Sequence, residues 1–293
     1  MELDMMAQMT EVQRSTVIVC TLSAVIDRLA DFTRGVGSSP TALQASLTPR
    51  APAAIMSHAS QVSIFQYSNQ IKGMLRRWAR EAMLLSDTEA YANNENEKSV
   101  CRFVLLKLNA QPQSFQESHL PPKYRDPDPD AVAHVMTEVK GTLKHVRNKL
   151  RNIILTGIIG ANTPNPVAIP NIDTLSISVW RHLMGKKTGL CNEEIAAKIT
   201  PMQKVRIAYI RLQTIQNYHD PVLRNLSQWD TIDSQLAAIG GLSDNFKKSW
   251  LRLLGAKDRA LFGSSPLLSS LDSSLFVCPT HDEVRARLQS RGE

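Results

Sequence analysis

The sequence predicts an all-α fold, a multi-helix bundle arranged as two helical lobes, and three observations carry that expectation. Apolar residues recur at 3.6-residue spacing in one segment after another. Several of those segments open on helix-capping signatures. Neither sustained period-two alternation nor an Asn-Gly or Asp-Gly hairpin signal occurs, and aromatics make up only 5% of the chain, whereas strand-rich folds use Tyr, Phe and Trp freely.

The first helix is expected from about Met6 to Phe32, where Val12, Val19, Leu22, Ile26 and Leu29 follow at spacings of 7, 3, 4 and 3. Gly35, Gly37 and Pro40 stop it, and a mobile Ser/Thr/Ala/Pro-rich connection over about 35–57 follows. Ile64, Tyr67, Ile71, Met74, Leu75, Trp78, Ala82 and Leu85 then keep a helical period, with Lys72, Arg76, Arg77 and Arg80 elsewhere on the wheel. A third helix runs from about Glu97 to Leu108. Pro112, Pro121, Pro122, Pro127 and Pro129 make 113–130 an irregular linker, the preferred boundary between an N-terminal lobe (1–112) and a C-terminal helical domain (131–293).

A long helix starts at Pro129, which suits a first turn because the missing N–H has no intrahelical acceptor there. Val132, Val135, Val139, Leu143, Val146, Leu150 and Ile153 form its apolar stripe, and Lys140, Lys144, Arg147 and Arg151 a parallel basic one. After a proline-marked break at 157–171, short helices begin near Asp173 and at Asn192, the latter read as a cap. Thr200-Pro201-Met202-Gln203 is a capping box with Pro at the first helical position. Ser227 and Ser243 precede two more helices, and Thr280-His281-Asp282-Glu283 is a second capping box. Leu271–Val277 is the nearest approach to a strand.

With 293 residues, 43% hydrophobic and 21% charged, the chain can bury a large core. Cys20, Cys101, Cys191 and Cys278 are widely spaced without a C-x-x-C pair, and read as buried thiols in a reducing compartment rather than a disulfide frame or zinc site. The one N-terminal apolar run, Val17–Cys20, is too short and too interrupted to span a bilayer, so the expected location is cytoplasmic or nuclear, with no membrane partner.

The formal charge is +7, and it is unevenly placed. Residues 139–219 hold twelve Lys and Arg against three acids, a net of +9, while the remainder of the chain nets −2. Asymmetry of this kind points to an anionic partner.

Patterns that could carry chemistry fail on inspection. Gly185-Lys186-Lys187-Thr188-Gly189 has Trp180 where a phosphate-binding loop needs its first glycine. His219-Asp220 and His281-Asp282 resemble metal-binding pairs, but Asp220 precedes a proline, the second pair sits in a capping box, and no two other histidines share a helix face. Asp126, Asp128 and Asp130 are separated by prolines and lack the glycine and terminal glutamate of a calcium loop. The chain is therefore read as no enzyme, with no cofactor, no metal and no evident small-molecule substrate.

What remains is basic. Lys140, Lys144, Arg147, Lys149 and Arg151 could follow a phosphate backbone, though without exposed aromatics on which bases could stack. Residues 192–211 loosely match a helix-turn-helix whose second helix would present Lys204, Arg206 and Arg211, but the turn glycine is missing. Those eight residues are the expected nucleic-acid contacts, with DNA and RNA both open. The competing expectation is a protein-interaction or self-associating scaffold whose basic face merely meets solvent.

Arg211-Leu212-Gln213, Gln228-Trp229-Asp230-Thr231-Ile232-Asp233-Ser234-Gln235-Leu236 and Lys257-Asp258-Arg259-Ala260-Leu261-Phe262 together resemble a pattern in uncharacterised predicted proteins of plant-pathogenic fungi. The resemblance covers about a fifth of the chain, within Val205–Phe262, and implies lineage without an activity.

Overall fold

The computed structural model describes residues 56–159, 164–184 and 189–290. The chain divides into two units at Ile55, and all the described residues belong to the second. The helix expected at Met6–Phe32 and nearly all of the 35–57 connection lie outside them, as do Cys20, Gly185, Lys186, Lys187 and Thr188.

Among the described residues there are eleven α-helices and no strand: α1 (His58–Ser63), α2 (Asn69–Met83), α3 (Val100–Asn109), α4 (Gln113–His119), α5 (Pro129–Ile154), α6 (Ile172–Met184), α7 (Asn192–Lys198), α8 (Pro201–His219), α9 (Gln228–Gly240), α10 (Asp244–Phe262) and α11 (His281–Gln289). They pack helix on helix, an all-α multi-helix bundle. Leu271–Val277 forms no strand; it carries a 3-10 turn at Ser273–Leu275.

Most starts are where their side chains dictate. Ser68, Ser99 and Ser243 accept hydrogen bonds from first-turn N–H groups of α2, α3 and α10. Thr200 and Thr280 complete reciprocal capping boxes with Gln203 and Glu283. Asp128 caps α5 in front of Pro129, and also meets His58 Nε2 at 3.0 Å. Asn192 is not a cap: α7 is capped from Cys191, whose N–H donates to Glu194 at 2.8 Å, while Asn192 receives Arg181 Nη2 at 2.9 Å.

The stretch 113–130 is not irregular throughout. Prolines stop a helix only where they stand, and 113–120 contains none, so α4 forms between Pro112 and Pro121. One hydrophobic cluster runs from Tyr67 to Val284, drawing on helices before and after this segment. Gly157, at the end of α5, has φ +79°, and a Cβ there would lie 2.9 Å from the backbone of Ala168 and Ile169, so only glycine fits this chain crossing.

Helix α8 is the centre of the C-terminal part, packed against α5, α6, α9 and α10. All nine residues from Ile207 to Ile215 are buried, so the helix is enclosed on every side rather than amphipathic. That corrects the reading of α8 as a groove-entering helix, because no face of its middle is open to a duplex.

Three polar clamps tie this core together. Arg211, 0% exposed, sends Nε and Nη2 to the two carboxylate oxygens of Asp258 at 2.8 and 2.5 Å and Nη1 to the Pro170 carbonyl at 2.6 Å. Its guanidinium carbon lies 4.3 Å from the centre of the Phe262 ring. Asp233, on α9, accepts backbone N–H bonds from Tyr91, Ala92 and Asn93 at 2.6, 2.7 and 2.7 Å. Gln228 accepts from Arg151 Nε at 2.9 Å and donates to Thr214 at 2.8 Å. Cys101 and Cys278 are buried as expected of structural thiols, and burial pushes Cys278 up to about 12; Cys191 is exposed instead.

Candidate anion-binding cleft

The basic residues separate into two groups, those spent inside the fold and those left facing solvent. On α2, Lys72, Arg76 and Arg80 are spaced i, i+4, i+8 and so share one face. The opposite face of α2 buries Ile71, Leu75, Trp78 and Ala82, which fixes the basic stripe outward. Helix α5 packs beside α2, and α6 packs against both.

A cleft of about 540 Å³ opens where the three helices meet. Lys72, Arg76 and Arg80 line one side, and Lys149 with His145 the other, on α5. His182 closes the α6 end, its Nδ1 lying 2.8 Å from the Ser178 carbonyl. A carbonyl can only accept, so Nδ1 carries the proton of this bond. Glu138 is the single carboxylate in the lining, against four permanent cations. None of those four cations meets an intramolecular acceptor among the described residues.

Gly141 lies in the floor, between Glu138 and His145. A Cβ there would meet nothing within 4 Å, so packing does not require a glycine. Gly141→Ala is expected to raise stability by about 0.5–1 kcal/mol, the ordinary helix-interior difference. A urea midpoint that stays still or falls would contradict this.

The structure distributes the eight sequence-selected residues unevenly. Only Lys149 lines this cleft. Lys140 and Lys144 are exposed on another face of α5. Arg147 Nη1 donates to the Tyr91 carbonyl at 2.5 Å, and burial lowers its pKa from the ordinary arginine value. Arg151 is bonded to Gln228. Lys204 pairs with Asp173 at 2.7 Å, Arg206 Nη2 donates to the Ser86 carbonyl at 2.9 Å, and Arg211 is buried. The helix-turn-helix reading required Lys204 and Arg206 free on one surface, and both are engaged internally.

No protein-family model, curated protein or solved structure matches the chain.

What the site can do therefore follows from its own chemistry. Among the described residues, no group of three or more His, Cys, Asp and Glu side chains is placed to hold a metal ion, and no helix is long and apolar enough to cross a membrane. In both His-Asp pairs a side chain is engaged locally. Asp220 accepts from the Val222 and Leu223 N–H groups at 2.8 and 3.1 Å, and His281 packs edge-on against Phe246 at the capped start of α11.

The α2 contribution was absent from the sequence-selected set. Its signal was there, in the four-residue steps from Lys72 to Arg80. What the sequence lacked was the packing that brings this stripe beside Lys149.

Proposed function

We propose that the chain is a non-enzymatic binding protein that holds the phosphate backbone of a nucleic acid against the α2–α5–α6 cleft. The observation that carries this is the convergence of Lys72, Arg76, Arg80 and Lys149 on one open cleft, none of them in an ion pair among the described residues. Like charges at i, i+4 on a helix repel by about 0.2–0.5 kcal/mol per pair, and an anion lying between them turns that cost into attraction. Lys72 and Arg80 are half-buried while Arg76 is exposed, which suits a backbone running along the cleft rather than a single ion sunk into it. Gly141 leaves the floor low enough for close approach. Glu138 opposes this, and one carboxylate against four cations leaves the site strongly positive.

The test is a salt series. Binding of a generic single-stranded RNA and a generic DNA duplex is measured by fluorescence anisotropy for the native chain, for Lys72→Gln/Arg76→Gln/Arg80→Gln, and for Lys140→Gln/Lys144→Gln. The native affinity is expected to fall steeply with salt, with the slope reduced by about three in the α2 variant, roughly one for each phosphate that no longer meets a cation. The Lys140/Lys144 variant should keep most of the native slope. Undetectable or salt-independent binding would leave the protein-interaction reading in its place.

A further inference from the structure

We propose that a groove sharing no residue with the basic cleft docks an acidic amphipathic helix of a partner protein. It opens where the start of α8, the middle of α10 and α11 meet, with a volume of about 390 Å³. Met202, Val205, Leu251, Gly255 and Ala256 make its floor, and Met202 stands 45% exposed there. Apolar surface of this kind gains by being withdrawn from water, and a helix does so by laying an apolar face, repeated at i, i+3, i+4 and i+7, into the groove.

Gly255 keeps that floor low. It stands inside α10, where glycine weakens a helix relative to alanine. Yet a Cβ there would make only ordinary contacts, 3.8 Å to Val205 Cγ2 and 4.0 Å to Arg259 Nη1. Packing within the chain therefore does not require a glycine at this position, whereas the close approach of a second backbone makes use of one.

The rim selects the partner's charge. Arg252 and Arg259 on α10 are exposed, Arg287 on α11 is half-buried, and the lining holds no carboxylate. None of the three is in an ion pair among the described residues. The acids of the neighbouring turns are engaged elsewhere, Asp258 with Arg211, Glu283 with Lys257 at 3.5 Å and Asp282 with Arg285 at 3.6 Å. Arg252 and Arg259 are seven residues apart, so they share a face of α10 and lie about 10 Å from one another along its axis. A single carboxylate or phosphate would have to draw both side chains together. A helix carrying acids beside its apolar stripe, at the same seven-residue interval, meets each arginine where it stands. A nucleic acid is the poorer fit, because the lining has no aromatic ring on which a base would stack and a phosphate backbone would leave the apolar floor uncovered.

The probe is a display library of helical peptides of about 16 residues, with Leu fixed along one face and Glu, Gln and Lys varied beside it, selected on the full chain. Glu is expected to be enriched beside the Leu stripe. The affinity of the selected peptides, read by fluorescence anisotropy, is expected to fall about tenfold or more in Arg252→Glu/Arg259→Glu and in Gly255→Leu. The first variant reverses two exposed charges and the second fills the floor from a position with room for a Cβ, so both should keep the native urea midpoint. Lys72→Gln/Arg76→Gln/Arg80→Gln should bind the peptides as the native chain does, because its cleft is a separate one. Absence of Glu enrichment would overturn the proposal, as would peptides indifferent to Gly255→Leu or lost with the α2 variant. So would a generic RNA, or vesicles of phosphatidylglycerol, whose binding depends on Gly255 while that of the peptides does not. Glu enrichment is read on the native chain, so it decides the question even if a variant fails to fold.

Discussion

Arg211→Met is expected to cost the fold roughly 3–5 kcal/mol, because it leaves the Asp258 carboxylate buried without its counter-ion. The substitution keeps much of the side-chain stem, so the loss is one of charge and hydrogen bonding rather than volume. Two bonds to Asp258, one to the Pro170 carbonyl and the stacking on Phe262 disappear together. The pair itself is not a large net stabiliser, since withdrawing two ions from water nearly offsets their attraction. The double variant Arg211→Met/Asp258→Leu should therefore recover most of the loss. Urea unfolding of both singles and the double measures this, and a double variant as unstable as Arg211→Met would refute the account.

The pH dependence gives the same substitution a second signature. Burial holds the Asp258 carboxyl above its ordinary value near 3.8 even with Arg211 beside it, and the same desolvation lowers Arg211 from its own ordinary value. Removing Arg211 takes away the main attraction opposing that rise. A carboxyl whose folded pKa lies above its unfolded one contributes stability that is fully present below the unfolded pKa and lost as pH rises through the folded one. The deficit of Arg211→Met should accordingly be smallest near pH 4 and widen toward neutrality, the reverse of ordinary acid unfolding. A deficit constant across that window would show that Asp258 stays ionised throughout.

This ion pair also shows where sequence reasoning stops. Capped starts are local, written in a few adjacent residues, so Thr200 before Pro201 and Thr280 before His281 are legible at once. The α5 stripe is equally local, and Val135, Val139, Leu143, Val146 and Leu150 are all buried. Arg211 is different. Its charge marks it as a surface residue, and only Asp258, 47 positions away in another helix, makes its burial tolerable. The same holds for Arg147 and Arg151, whose acceptors come from 56 and 77 positions away. A count of net charge between 139 and 219 includes such residues without knowing that their guanidiniums are spent. The cleft was hidden for the opposite reason: half of it lies on α2, outside the stretch where the charge excess is concentrated.

Asp233→Ala is expected to destabilise the chain by about 2 kcal/mol, because one side chain satisfies three consecutive N–H groups; the buried Tyr91 donor left unpaired costs roughly 1–3 kcal/mol, while those of half-buried Ala92 and exposed Asn93 can turn to water. The loss is not confined to those bonds. The segment that Asp233 anchors supplies the Tyr91 carbonyl to Arg147, and a few residues earlier the Ser86 carbonyl to Arg206. The Tyr91 ring, fully buried, also packs 5.6 Å from that of Trp229 on the same helix as Asp233. Freeing 91–93 would therefore loosen two arginines and an aromatic contact at once. Asp233→Asn should recover only part of the loss, since its amide sets an NH2 against an N–H donor where a carboxylate oxygen had accepted. Hydrogen exchange at the Tyr91, Ala92 and Asn93 amides gives the local readout, and these should open well before the α8 core in either variant. Unchanged protection there, or a loss below about 1 kcal/mol by urea unfolding, would mean that the segment is held by its apolar contacts and that Asp233 is incidental.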